Sequence, residues 1–291
     1  MRKTHRVAVL TAALAACLAT VGLGAAIAPG AGAAGSNTLT VKAGEYTYKV
    51  SGSPKAGWTE VEFDNPGLEF HMLGMVQLKK GVTVKQLKAA LLSDDENAGN
   101  KLVAGDGDVS PLPSFLSAGE RTTILTKLPS GHYGMFCFVP APDGESHVAH
   151  GMVKVFDVGS GKSSLSPPKD GVVNVTISDS GITLPSSGLP KSGWVKVTNG
   201  TSVPRSLTLA RYLTPTATFE DGDAYFNEFF ESGQVPTGDP PAAIAGGIEG
   251  IAPGSTGYFE LAMKSGRYVL VSSNAEEEND PNELHTDFTV K

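Results

Sequence analysis

Cysteine is almost missing from this chain: among 291 residues only Cys17 and Cys137 carry a thiol. A framework of structural disulfides is therefore excluded, and so are zinc sites built on paired CxxC motifs. No GxSxG elbow and no phosphate-cradling glycine loop occurs, which removes the commonest hydrolase and nucleotide-binding signatures. Basic residues are the scarcer sign of charge, 23 Lys and Arg against 30 Asp and Glu, for a net charge of −7. After the first 28 residues no apolar run approaches the length of a membrane span.

What is present begins with an export pattern. Arg2, Lys3 and Arg6 precede an apolar stretch from Val7 to Ala28, and small residues stand at Ala31 and Ala33. This reads as a signal peptide, residues 1–34, cleaved near Ala34, and it implies a secreted, extracellular or cell-envelope protein. Two other readings compete. "LAAC" at Leu14 to Cys17 resembles a lipoprotein box, but the apolar run continues past Cys17. An uncleaved anchor is the third, opposed by the weak hydrophobicity of so much Gly and Ala. Cleavage removes three basic side chains and no acid, leaving 20 basic against 30 acidic residues, a net charge of −10. Nucleic acid and anionic membrane surfaces are poor partners for such a chain. The exported protein keeps one thiol, Cys137, in a compartment that favours oxidation.

The rest of the chain predicts an all-β fold. Alternating apolar and polar runs such as "TLTVKAGEYTYKV", "TEVEFDN", "TTILTKL" and "MVKVFDV" are separated by turns drawn from 35 Gly and 19 Pro. Helical patterning is confined to Thr83 to Leu92 and to "DAYFNEFFE", both inside long connections. The pattern occurs twice. "SPKAGWTEVEFDN" from Ser53 matches "LPKSGWVKVTN" from Leu189, and "LSAGERTTILTKLPSGHYGMFCF" from Leu116 matches "IAPGSTGYFELAMKSGRYVLVSS" from Ile251, at offsets of 134 to 136 residues. A Gly, Ser and Pro rich stretch, Gly159 to Gly171, lies between the copies. The expectation is two antiparallel β-sandwiches in tandem, 36–158 and 172–291, joined by a linker over 159–171.

The scarce residue types collect in one place. Gly131 to Met152, "GHYGMFCFVPAPDGESHVAHGM", holds Cys137, His132, His147, His150, Met135 and Met152. With His71, after the strand "TEVEFDN" and its turn, a set of His71, Cys137, His147 and Met152 can meet at one end of the first sandwich. Two imidazoles, a thiolate and a weak axial thioether suit copper cycling between its cuprous and cupric states. Metal binding would also protect the lone thiol.

On "NPGLEFH" ending at His71, "GHYGMFC" ending at Cys137, and His147 followed by Met152 in "HVAHGM", residues 36 to 158 resemble the cupredoxin, or type 1 blue copper, superfamily. The resemblance implies a Greek-key sandwich, copper bound by His71, Cys137, His147 and Met152, and one-electron transfer with a redox partner protein. Met72 follows His71 where small blue copper proteins usually carry Asn. His150 competes with His147, although its spacing to Met152 is short for the pattern. His132 reads as a surface residue, and Met72, Met75 and Met135 as packing. In the second copy Arg205 and Ser272 stand at the positions of His71 and Cys137, and "NAEEENDPNELH" offers carboxylates and His285, a poor set for type 1 copper. That copy reads as a degenerate cupredoxin-like scaffold or docking surface.

Function follows as a copper protein that passes single electrons and is not itself an enzyme. A copper carrier, or a metal-free binding module on the same scaffold, is the alternative. Multicopper oxidase or nitrite reductase chemistry is disfavoured, because the chain has six His and no His-x-His pair, and Phe136 and Phe138 flank Cys137 where a His would relay electrons onward.

Overall fold

The computed structural model describes residues 37–291 apart from 96, 235, 277–279 and 281. The expected signal peptide, Cys17 included, lies outside the described residues. In the first half the strands are β1 (Thr38–Gly44), β2 (Thr47–Ser51), β3 (Lys55–Asp64), β4 (Gly74–Leu78), β5 (Val103–Asp108), β6 (Leu112–Pro113), β7 (Arg121–Leu128), β8 (Gly131–Phe136) and β9 (Val153–Lys162). The second half supplies β10 (Val173–Ser178), β11 (Gly181–Thr183), β12 (Ser192–Asn199), β13 (Arg205–Tyr212), β14 (Ala242–Ile251), β15 (Thr256–Ala262), β16 (Gly266–Ser272) and β17 (Leu284–Val290). The described helices all sit in connections: α1 (Val84–Leu91), α2 (His147–His150) and α3 (Phe219–Ser232). The fold is all-β, as the alternating pattern requires.

That alternation sets the core directly. In β1, Leu39, Val41 and Ala43 are fully buried while Thr40 and Lys42 face outward, where they bond Glu62 and Asp64 of β3. Inward residues of β1, β3 and β7 (Leu39, Val61, Phe63, Ile124) pack with Tyr133 and Met135 of β8 and Val158 of β9 in one cluster. Each such side chain, removed from water, contributes roughly 1.5–3 kcal/mol before chain entropy is counted.

The repeat is a repeat of hydrogen bonds as well as of letters. β1 runs parallel to β3, and β10 runs parallel to β12. Asn65 Nδ2 donates to the carbonyls of Glu69 and Leu116, and Asn199 Nδ2 donates to those of Val203 and Ile251. The Tyr133 hydroxyl bonds the Pro129 carbonyl, and the Tyr268 hydroxyl bonds the Lys264 carbonyl.

The halves are joined by more than the linker. β7 pairs with β15 through Thr123–Glu260, Ile124–Phe259 and Leu125–Tyr258, which makes a continuous 12-stranded sheet across both copies. Pro113 and Leu112 of β6 pair with Ile248 and Glu249 of β14, so a first-half segment closes the edge of a five-stranded second-half sheet. The segment expected to link the copies, 159–171, begins in strand. Residues 159–162 continue β9 and pair with β3, and the Ser163 hydroxyl donates to the Trp58 carbonyl. Gly and Ser lower strand propensity, but a partner strand overrides it.

Separating the halves exposes the β7 and β15 edges together. Residues 36–158 and 172–291 produced singly are expected to melt at least ~5 °C below the whole chain or to self-associate, as calorimetry and sedimentation would report. Two halves as stable and monomeric as the intact protein would show that these edges contribute nothing.

Candidate metal centre

The site is built on two loops. After β3 the chain turns over "NPGLEFH", and Asn65 organises the turn: its Oδ1 accepts from Gly67 N at 3.1 Å while its Nδ2 holds the Glu69 and Leu116 carbonyls. His71 is then fixed to Leu116 by a reciprocal backbone pair, 3.0 and 2.9 Å. A Cβ at position 67 would stand 2.7 Å from Glu45 Oε1 and 3.3 Å from the His71 ring, so a larger residue there would displace the Glu45 carboxylate and crowd His71. The second loop leaves β8 at Cys137 and returns at Met152. It is closed by its own backbone: Cys137 N donates to Met152 O, Val148 N to Cys137 O, His147 N to Val139 O and Met152 N to His147 O. The turn expected around His147 is the one-turn helix α2, capped by the Ser146 hydroxyl and ended by Gly151 at φ 109°.

These loops bring three of the four sequence-predicted ligands into direct contact. His71 Nδ1 lies 3.1 Å from His147 Nδ1, and Cys137 Sγ lies 3.4 Å from His147 Nδ1 and 3.9 Å from His71 Nδ1. One donor atom from each falls within 4.8 Å of the others, and all three residues are fully buried. Met152 is fully buried in the same core cluster as Cys137 and is tied through its backbone to both Cys137 and His147. Met72 donates its backbone N–H to Cys137 Sγ at 3.5 Å.

His150 stands outside the cluster, with its Nε2 3.0 Å from Asp143 and its ring stacked on Tyr46 at 4.4 Å. His132 is held by Asp157 and the Val82 carbonyl, each at 2.7 Å, and takes no part. Met75 and Met135 are core residues, and Met72 packs against the same core. In the second half the Arg205 guanidinium bonds Asp280 at 2.6 Å, and Ser272 is buried.

Two residues that the sequence did not single out complete the centre. Glu69 Oε2 lies 2.7 Å from His147 Nε2, and Tyr46 donates its hydroxyl to Glu69 Oε1 at 3.0 Å. A carboxylate only accepts, so with Glu69 ionised the His147 proton sits on Nε2 and its Nδ1 offers a lone pair to the cluster. The 3.1 Å contact between the Nδ1 atoms then needs a proton on His71 Nδ1, which leaves His71 Nε2 bare. That nitrogen is buried without a partner. For both imidazoles to face a cation through Nδ1, His71 need only move its proton to the other ring nitrogen.

Burial sets the electrostatics. It lowers His71 to about 4 against a smaller opposing pull from Glu45, and it lowers His147 to about 3 with help from the neighbouring His71 and His150. Both rings are neutral at physiological pH and compete with no proton for a metal. Burial pushes the Cys137 thiol up to about 12, and it raises Glu69 and, to about 12, the Tyr46 phenol. The thiol therefore stays protonated until a cation repays the desolvation of its thiolate.

Among known proteins no family model and no curated sequence matches this chain. Similar solved structures include the dithionite-reduced auracyanin of Roseiflexus castenholzii, 25% identical over 43% of this chain and 98% of that one, with a TM-score of 0.30. Auracyanin A of Chloroflexus aurantiacus, a "blue" copper protein, is 19% identical over 42% of this chain and 99% of that one, at 0.28. A multicopper oxidase is 12% identical over 87% of this chain and 88% of that one, at 0.25.

Two outcomes follow from the electrostatics. Because only the thiol must lose a proton, metal affinity is expected to rise ~tenfold per pH unit between roughly pH 6 and pH 9, measured by competition against a chelator. A flat profile would mean that Cys137 does not bind as thiolate. Glu69→Gln, which no longer fixes the His147 tautomer, is expected to weaken metal binding by about 10–100-fold while the melting temperature of the metal-free protein changes little.

Proposed function

We propose that this protein is an exported, copper-binding one-electron carrier of the cupredoxin type. The observation that carries the reading is the convergence of His71 Nδ1, His147 Nδ1 and Cys137 Sγ in a fully buried cluster. The donor set fits copper. Two neutral imidazoles serve both oxidation states, the thiolate adds a soft charged donor, and Met152 places a thioether nearby in sequence and in the core. Carboxylates, which favour harder ions, are held one step back: Glu69 bonds His147 Nε2, the ring nitrogen that does not face His71 and Cys137.

When bound, copper supplies the one-electron couple, and the chain's own residues do the rest. Glu69 orients His147, Met72 N–H stabilises charge on Cys137 sulfur, and the surrounding core excludes water, which limits reorganisation as charge changes. Each half of the chain is read as a cupredoxin-like Greek-key sandwich, 36–158 with the metal and 172–291 without it. An oxidase or reductase role is not proposed. Phe136 and Phe138 flank Cys137, and among the described residues one His and Cys cluster is present. A redox partner, a protein by the family resemblance, would complete the cycle.

The test is the visible absorption of oxidised protein with one equivalent of copper. An intense thiolate-to-copper band is expected, and its absence from a copper-loaded protein would sink the electron-transfer reading. Cys137→Ser is expected to abolish the band, because a hydroxyl is a harder ligand and stays protonated. Met152→Leu is expected to keep the copper and raise the potential, since a weak axial thioether tunes the couple more than it holds the ion. His150→Ala should leave the band in place; if it removes the colour while His147→Ala does not, the ligands are misassigned.

A further inference from the structure

Beside Glu69 the two halves leave a cleft of about 470 Å³, within the size range of small-molecule sites. Its lining joins Glu69 and Phe70 from the loop after β3 to Tyr225, Phe226 and Phe229 of α3. The rings are close enough to form one aromatic surface, with Phe70 5.9 Å from Phe226 and 5.5 Å from Phe229. Neither half makes this cleft alone.

The charged residues of the lining are unbalanced. Glu69, Glu120 and Asp239 stand against Arg211 alone. Arg211 is already committed to Glu120 at 2.9 Å, which leaves the carboxylates of Glu69 and Asp239 in surplus. Asp239 also bears on the aromatic wall: burial first, and then the Asp239 charge, raises the Tyr225 phenol. Each Glu69 oxygen has one partner, Tyr46 or His147, and a carboxylate oxygen can accept a second.

We propose that this cleft binds a small, flat aromatic amine in its cationic form, its ring among Phe70, Phe226 and Tyr225 and its ammonium facing Glu69 and Asp239. Aromatic faces attract both the ring and the positive charge, and the surplus carboxylates complement an ammonium. An anionic aromatic of the same size would meet three carboxylates, Glu69, Glu120 and Asp239, against one guanidinium whose charge Glu120 already offsets. The cleft gives the second half, which lacks the metal ligands, a direct part in function.

The full-length, copper-free protein is the sample, so the outcome is independent of whether copper binds. Calorimetric titration with tryptamine and with indole-3-acetate, similar in size and opposite in charge, decides the class. Tryptamine is expected to bind at least ~10-fold more tightly. Asp239→Asn, at an exposed position, is expected to weaken tryptamine and leave neutral indole unchanged, and Phe226→Ala to weaken both. Stronger binding of indole-3-acetate, no tryptamine binding at millimolar concentration, or unchanged tryptamine affinity in Asp239→Asn would overturn the proposal.

Discussion

The geometry of the candidate metal centre depends on one side chain outside its His and Cys cluster. Asn65, fully buried at the end of β3, bonds three backbone groups of its own turn and of the Leu116 segment, and so sets the positions of Glu69 and His71 together. Each bond contributes about 1 kcal/mol net, but removing the amide would strand buried carbonyls at about 1–3 kcal/mol apiece. Asn199 makes the same bonds in the second half, where no ligands need placing. The clamp is therefore a property of the scaffold, and the first half exploits it by placing His71 and Glu69 on the turn.

Given that placement, the chemistry is decided by desolvation. Three polar side chains are buried against apolar neighbours, and the metal-free state tolerates them only because all are neutral: a thiol held above its ordinary range and two imidazoles held below theirs. Neutrality is what a soft cation needs from the imidazoles and what it must undo in the thiol. Glu69 is the one anion admitted, and it is acceptable there because Tyr46 and His147 both donate to it.

The sequence carries the candidate ligands His71, Cys137 and His147 in order because each sits at a strand end or a closed loop with recognisable turn residues around it. Glu69 escapes notice for a physical reason. A glutamate in a Gly and Pro turn reads as solvated, and its hydrogen bond spans 78 residues to His147. The one-turn helix α2 had its signals in plain view, Ser146 before it and Gly151 after it, but a single turn has no apolar periodicity to detect. The repeat reveals that there are two copies and is silent on how they meet. The pairing of β7 with β15 joins strands that correspond to one another in the two copies, and edge exposure, which decides such pairing, is a property of the assembled sheet.

The second half shows what the scaffold does without ligands. Arg205 takes the place of His71, and its guanidinium is buried against Asp280, while Ser272 occupies the place of Cys137. The fixed ion pair provides internal charge compensation in a position where the first half leaves neutral donors. Since Asn199 keeps its bonds there, the turn does not need a metal to form. By the same reasoning Asn65 holds the His71 turn, and the backbone bonds among Cys137, Val139, His147, Val148 and Met152 hold the second loop, so a cation bound there would cost a proton and a tautomer change and little rearrangement of the chain. The second half also lines the cleft beside Glu69, with Arg211 of β13 and Tyr225, Phe226 and Phe229 of α3, and the Glu69 carboxylate at its edge is the group that bonds His147.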